Sequence, residues 1–219
     1  MPTVSLSQLQ NRVWDRLDSN TLLYTAANLT DAINECLRVV NIATGFAQTT
    51  VQIPGLSQEN RIFYDIPTGP GNILIPMRCQ FESGYLYKYF PNAIGKAFAA
   101  WVTDTTASTG MPVSHWIPLG LKKFAIHPAD SIGGSPIFIT GVQELVPLVN
   151  LTDTVPIPNE YSDLIVNLSA QVLTLKETGA LFKQSAAYYQ VYLSQIKKLL
   201  LWRSAIMPRF FIPEMVQKP

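Results

Sequence analysis

One serine stands directly before one of the chain's two histidines, as Ser114-His115. A hydroxyl beside an imidazole is the beginning of a nucleophile–base pair, and acyl hydrolysis is the chemistry such a pair performs. The other histidine is His127. No G-x-S-x-G elbow surrounds Ser114, and no flanking glycines place it on a strand-to-helix turn. Both histidines therefore read as residues of strands or loops. For metal chemistry, Cys36, Cys79, His115 and His127 are the soft ligands, and they lack C-x-x-C or H-x-x-x-H spacing. Cys36 falls on an apolar helix face and Cys79 in a strand-like segment, so both read as buried thiols. Asp31 and Glu35, four apart, read as a solvated helix face rather than an acid–base pair. The glycine-rich run Pro67 to Asn72 lacks a P-loop lysine, and its prolines remove N–H groups that an anion would need. The sequence predicts no catalytic residue, no cofactor and no metal.

Two further groups invite a binding role. Phe81, Tyr85, Tyr87, Tyr89 and Phe90, with Arg78 and Lys88 among them, have the types of a base-stacking platform. Their period of two is also what a packed sheet face shows, and packing is the expected role. Lys197, Lys198 and Arg203 lie late in a helix, where its dipole favours cations. From residue 157 onward there are seven basic and four acidic residues, a net of +3 against −2 for the rest. That split suits steering between unlike protein surfaces and is too weak for duplex binding.

The elements that must position these residues follow from the placement of breakers. Of 16 prolines and 12 glycines, 12 and 10 lie between Pro54 and Pro158. Both types interrupt helices. The ends should be helical and the middle rich in strands and turns. A first helix is predicted from Ser5 to Asp18, opened by a Ser5–Gln8 capping box and carrying Leu6, Leu9, Val13 and Leu17 on one face. A second starts near Asn28 and ends at a Gly45 cap. It should bury Ile33, Cys36, Leu37 and Val40 and wet Asn34, Glu35, Arg38 and Asn41.

Strands are predicted over Phe46–Ile53, Arg61–Ile66, Asn72–Met77, Gln80–Tyr87, Val113–Ile117, Lys122–His127 and Pro136–Leu145. Phe124 and Ile126 should alternate with exposed neighbours. Ser131 to Ser135 should turn that strand back on the next as a hairpin. Asn92–Val102 suits either a short helix or a strand. A third helix should open directly after Pro156-Ile157-Pro158. A fourth, from Ala180 to Ser204, should bury Phe182, Ala186, Tyr189, Leu193, Ile196 and Leu200, with Tyr188, Tyr192 and Leu199 widening that stripe.

The predicted fold class is α+β: a helical bundle from both chain ends (residues 1–45 and 157–205), an inserted antiparallel β-sandwich or barrel-like middle (46–156), and an extended tail (206–219). The tail has no helical or strand period and is expected to order only against a neighbour.

Composition adds a constraint. Only 31 of 219 residues are charged, which is 14%, where soluble domains carry roughly 25%. Apolar residues make up 47%, the net charge is +1 and the mean hydropathy is +0.15. No stretch approaches the roughly 20 apolar residues of a membrane span, and residues 1–8 lack the pattern of a secretory signal. A subunit that covers much of its surface with partners remains.

Three groups of residues carry a likeness to a known family. They are Trp14-Asp15-Arg16-Leu17 with Leu29 to Leu37; Trp101, then Thr109-Gly110-Met111-Pro112, His115-Trp116-Ile117 and Phe124 to Pro128; and Ile157-Pro158-Asn159-Glu160-Tyr161 with Tyr188-Tyr189. Over most of residues 5–204 the layout resembles the head-to-tail adaptor (connector, or neck) proteins of tailed bacteriophages.

The resemblance implies a non-enzymatic virion protein at the head–tail junction, assembled in the host cytoplasm. It would form a ring beneath the portal, usually twelve-fold, extend the channel for double-stranded DNA without sequence-specific contact, and give tail or neck proteins a platform. It implies that Trp202, Phe210, Phe211 and Ile212 dock the tail into a neighbouring portal or adaptor subunit. The alternatives are another neck or tail component, such as a terminator or tail-tube subunit. From a different class comes a small hydrolase or ligand-binding module using Ser114, His115 or the aromatic cluster.

Overall fold

A computed structural model describes residues 3–17, 24–82, 84–89, 112–159, 162–176 and 182–206. It is a mixed α+β protein with four helices and mostly antiparallel sheets among those residues. Two compact units divide it: Met1–Phe46 with Pro147–Pro219, and Ala47–Val146. The Asn92–Val102 segment lies outside the described residues.

The first unit begins with β1 (Thr3–Ser5) and α1 (Leu6–Arg16). Ser5 closes the expected capping box with Gln8, which satisfies two otherwise orphaned backbone donors. Leu6, Leu9, Val13 and Leu17 are all buried. α2 (Ala26–Thr44) is capped by Thr25, three residues ahead of the expected Asn28, because the Thr25 hydroxyl accepts from the Asn28 N–H. It ends on Gly45 in the left-handed conformation, at φ 56°, where glycine carries no Cβ penalty.

The third helix does not open at Pro158. Thr154–Pro158 is a strand, here β10, that pairs antiparallel with β1 across a bulge. Prolines are tolerated in it because it belongs to a two-stranded ribbon. α3 (Ser162–Lys176) follows, with Asp163 in its first turn. The Arg12 guanidinium holds that turn, donating to Ser162 Oγ and lying 3.9 Å from the Asp163 carboxylate.

α3 packs against α1, α2 and the last helix, α4 (Phe182–Ile206). Every residue from Leu164 to Ala170 is buried, as expected of a helix surrounded by others. The polar Asn167, Ser169 and Thr174 are buried with them. Thr174 Oγ1 donates to the Ala170 carbonyl at 2.8 Å, and Asn167 Nδ2 to the Asp163 carbonyl at 2.7 Å.

The second unit holds the remaining strands in two four-stranded sheets. They are β2 (Gln48–Gln52), β3 (Phe63–Asp65), β4 (Ile73–Phe81), β5 (Gly84–Tyr85), β6 (Tyr87–Lys88), β7 (His115–Pro118), β8 (Lys123–His127) and β9 (Ile137–Gln143). One sheet runs β2-β9-β4-β5 and the other β3-β8-β7-β6. β6 and β7 pair in parallel. Ile73, Cys79, Ile137 and Ile139 of the first sheet share a core with Tyr64, Trp116, Phe124 and Ile126 of the second. Ala125 is buried on the opposite face of β8, against Ile117 and Tyr89. The expected exposed alternation there fails because β8 is covered on both sides.

The expected β8–β9 hairpin is absent: β8 pairs with β3 and β7, and β9 with β2 and β4. The Ser131 to Ser135 stretch instead carries the chain from one sheet to the other. A hydrogen-bond knot fixes that crossing. Ser57 Oγ donates to Asp130 Oδ2, the Ile132 amide to Asp130 Oδ1, and the Ser135 amide to Ser57 Oγ. Gly133 sits within it at φ +76°, and a Cβ there would lie 2.9 Å from the Glu59 nitrogen.

Burial pushes the Asp130 carboxyl up, but hydrogen bonds from Ser57, Ile132 and Gly133 outweigh it and hold the group below its ordinary 3.8. A depressed carboxyl contributes stability above the unfolded value and loses it as pH falls through the folded one. Thermal melts should therefore drop as pH falls below about 4, and Asp130→Asn should flatten that drop while lowering stability at neutral pH. A second expectation concerns Gly141. A Cβ on it would sit 2.3 Å from the Ile75 carbonyl oxygen and 2.9 Å from Ile73 Cγ2. Gly141→Ala should cost about 2–3 kcal/mol, by the scale of overpacked cores, read by urea denaturation.

Candidate interaction surfaces

Ser114 and His115 do come together, with Ser114 Oγ 2.7 Å from His115 Nδ1. His115 opens β7 and stands opposite His127 at the end of β8. Its ring meets Tyr89 edge-on at 4.8 Å and Tyr87 at a tilt, 6.0 Å away. Burial lowers its pKa, and a hydrogen bond to the His127 backbone opposes that shift. The imidazole is thus held neutral near pH 7 and clamped between aromatic rings and backbone. Among the described residues, no cluster of three or more His, Cys, Asp or Glu is placed to hold a metal. Cys36 and Cys79 are both buried and form no disulfide, and burial pushes the Cys79 thiol far up.

The aromatic cluster separates into packed and exposed members. Phe81 borders the shared core, and Tyr89 covers Ile117 and Ala125. Tyr85 and Tyr87 are exposed, at 65% and 72%. Arg78 lies over the Tyr85 ring at 5.6 Å, and Lys88 over Trp116 at 5.4 Å. Phe90 lies outside the described residues.

The expected α4 stripe is rotated in part. Tyr192 and Ile196 are buried, whereas Tyr189, Val191, Leu200 and Leu201 are exposed, Leu201 at 69%. Tyr188 on this side reaches α1, donating its hydroxyl to the Arg16 carbonyl at 2.6 Å. Tyr189 then stacks on Tyr192, 5.9 Å away, at the outer margin. α4 thus leaves these apolar side chains exposed among the exposed Gln190, Ser194, Lys197 and Lys198. Trp202 lies on this helix in its last turns. Phe210, Phe211 and Ile212 lie outside the described residues, as does the rest of the tail from residue 207.

A second apolar surface was not anticipated. The loop before β10 presents Val149 at 75% and Leu151 at 57% exposure. It is held from four directions. Asn34 Nδ2 donates to the Leu148 carbonyl at 3.0 Å, and the Leu148 amide returns to Asn34 Oδ1 at 2.9 Å. The Val149 and Asn150 amides both donate to Asp153 Oδ2 at 2.8 Å. The Ser7 amide donates to the Leu151 carbonyl and the Leu6 amide to that of Asp153. The Val149 and Asn150 amides hold the Asp153 carboxyl below its ordinary range. Asn34 and Asn41 do not form the wet face expected of them: Asn34 is half-buried in this clamp and Asn41 is buried. The partner of Asn34 is a backbone 114 residues away, so no local spacing could reveal it.

Asn34→Ala should remove both bonds and cost about 1–3 kcal/mol, as for a buried amide left unpaired. Amide exchange at Leu148 and Val149 should quicken, while the second unit's amides keep their protection. No protein-family model matches this chain, and no curated protein matches its sequence.

Proposed function

We propose that this chain is a head-to-tail adaptor of a tailed bacteriophage, a virion subunit that assembles into a ring beneath the portal. The observation that carries the reading is the pair of exposed apolar groups on separate elements of one unit: Leu200 and Leu201 of α4, and the clamped Val149–Leu151 loop. A ring uses head-to-tail contacts, so each subunit must offer two different surfaces. A charge content of 14% supports the same reading, because obligate interfaces are relatively apolar. No described helix is long and apolar enough to cross a membrane.

In finer terms, the proposed architecture is a helical bundle from both chain ends with a β-sandwich inserted between α2 and α3. The grouping of Met1–Phe46 with Pro147–Pro219 and the core shared by the two sheets support it. The proposed partners are other copies, the portal and tail or neck proteins, with double-stranded DNA passing through the ring. The proposed location is the head–tail junction of the virion. Trp202 with Phe210, Phe211 and Ile212 is the proposed docking segment. A hydrolytic reading rests on the 2.7 Å Ser114–His115 contact.

The test is native mass measurement of the full chain with and without purified portal. The intact chain should give a portal-bound ring. A chain cut after Ser204 should stay folded and lose portal binding. Alanine at His115 and His127 should leave ring assembly unchanged. A truncated chain that still assembles on the portal refutes the docking role. A hydrolytic activity lost with those histidines, in a chain that never joins a portal, refutes the adaptor reading.

A further inference from the structure

β7 and β8 are joined by a closed hairpin tip over residues 119–122. The Leu119 amide donates to the Lys123 carbonyl at 2.9 Å, and the Lys122 carbonyl accepts from the Ile66 amide at 2.8 Å. Held in this way, the tip presents Leu119 at 38% and Leu121 at 56% exposure. Lys122 and Lys123 are exposed beside them. Lys123 lies 3.9 Å from the Asp65 carboxylate, and Lys122 has no ion pair among the described residues. A tip whose backbone is fixed beforehand loses little further freedom on binding.

α2, in the first unit, carries a surface of the opposite kind. Ile33, Cys36, Leu37 and Val40 turn inward. Steps of three and four residues bring Asp31, Glu35, Arg38 and Ile42 onto the other side, with Val39 adjoining Glu35 and Ile42. All five are exposed, Val39 and Ile42 at 44% each. Neither Asp31 nor Glu35 has an ion pair among the described residues. Along the helix axis Val39 lies about 6 Å and Ile42 about 10 Å from Glu35, so one lysine and an adjacent leucine can reach carboxylate and apolar pair together.

The two surfaces are alike in apolar content and opposite in charge. Carboxylates outnumber the single guanidinium on α2, and lysines outnumber the single carboxylate at the tip. Neither surface suits itself: tip on tip sets lysine against lysine, and α2 on α2 sets carboxylate against carboxylate. Complementary charge fixes the register of a contact, and like charge costs it several-fold in affinity. We propose that the β7–β8 tip of one copy docks on the exposed α2 face of a second copy, Leu121 against Val39 and Ile42, and Lys122 against Glu35. The contact is heterologous, so it repeats from copy to copy. It deepens the adaptor reading, on which its closing into a ring rests, while the joining of two copies needs no portal.

The test uses the full chain with single cysteines, each variant tagged to a different mass. Cys36 and Cys79 are buried, which leaves the added thiol as the accessible one. Under dissolved oxygen, Leu121→Cys mixed with Ile42→Cys should form the one-to-one covalent dimer at least ~10-fold faster than either variant alone, because a disulfide needs close Cα atoms. Ile132→Cys, at a site 85% exposed, should capture Leu121→Cys no faster than chance collision. Lys122→Glu and Glu35→Lys should each weaken self-association about 10-fold in sedimentation, and mixing the two should restore it. Circular dichroism checks that each variant is folded. Equal capture by Ile42→Cys and Ile132→Cys overturns the proposal. So does self-association unchanged by Lys122→Glu, or a tip that docks only on a different protein. Selective capture by Ile42→Cys in a chain that never binds the portal supports the contact and refutes the adaptor reading alone.

Discussion

The burial of α3 on every side is the constraint on which the first unit depends. An ordinary surface helix offers a stripe to one core, but α3 lies against α1, α2 and α4 together. Each of those helices is then free to be amphipathic, because α3 supplies an apolar partner to all of them. Leu6, Leu9 and Val13 of α1 and Leu29, Ile33 and Leu37 of α2 turn inward accordingly. Burying each such side chain contributes about 1.5–3 kcal/mol. The cost falls on the polar residues of α3, which must bond within the helix. Thr174 does so, and Asn167 uses its amide on Asp163 and Gln195. Ser169 Oγ finds no hydrogen-bond partner among the described residues.

The second unit rests on close approach rather than enclosure. β9 lies between β2 and β4, and at Gly141 the β4 backbone comes so near that no side chain fits. The register of β4 shifts on either side of this point, beside Pro76, where the missing N–H of a proline is tolerated at an irregularity. The sheets are then joined by the Ser57–Asp130 knot. One buried carboxylate there accepts bonds from the Ser57 hydroxyl and from the Ile132 and Gly133 amides, and so stays ionised without a cationic partner.

Features written in neighbouring residues were legible in the sequence. The Ser5–Gln8 box, the Gly45 cap and the inward faces of α1 and α2 each depend on contacts within a turn or two. Strand positions were legible too, since β2, β3, β8 and β9 fall inside the predicted segments and β7 runs one residue past its own. Pairing was not. The Gly133-Gly134 turn looked like a hairpin because glycine marks the bend and not the destination, and β8 and β9 belong to different sheets. β10 was hidden by its prolines, which suit a helix entry as well as a ribbon. The apolar character of α4 was readable, but which of its residues are buried depends on α3 and on contacts such as the Tyr188 bond to a carbonyl 172 residues away. The Val149–Leu151 loop could be read only in its local Asp153 bonds, because the others run to Asn34, Leu6 and Ser7, far away in the chain.

The short ribbon of β1 and β10 sets Thr3 opposite Pro158, with the whole second unit between them. The residues of that unit, Ala47–Val146, are contiguous, so its core can close as soon as its own chain has left the ribosome. The first unit cannot: α1 and α2 must wait for β10, α3 and α4. Long-range closures of this kind come late and slowly. In chain order the β-rich unit is complete before α3, so α1 and α2 precede their central partner by the length of that unit. α4 comes last of the described elements, so its exposed Leu200 and Leu201 follow in the chain every element it packs on.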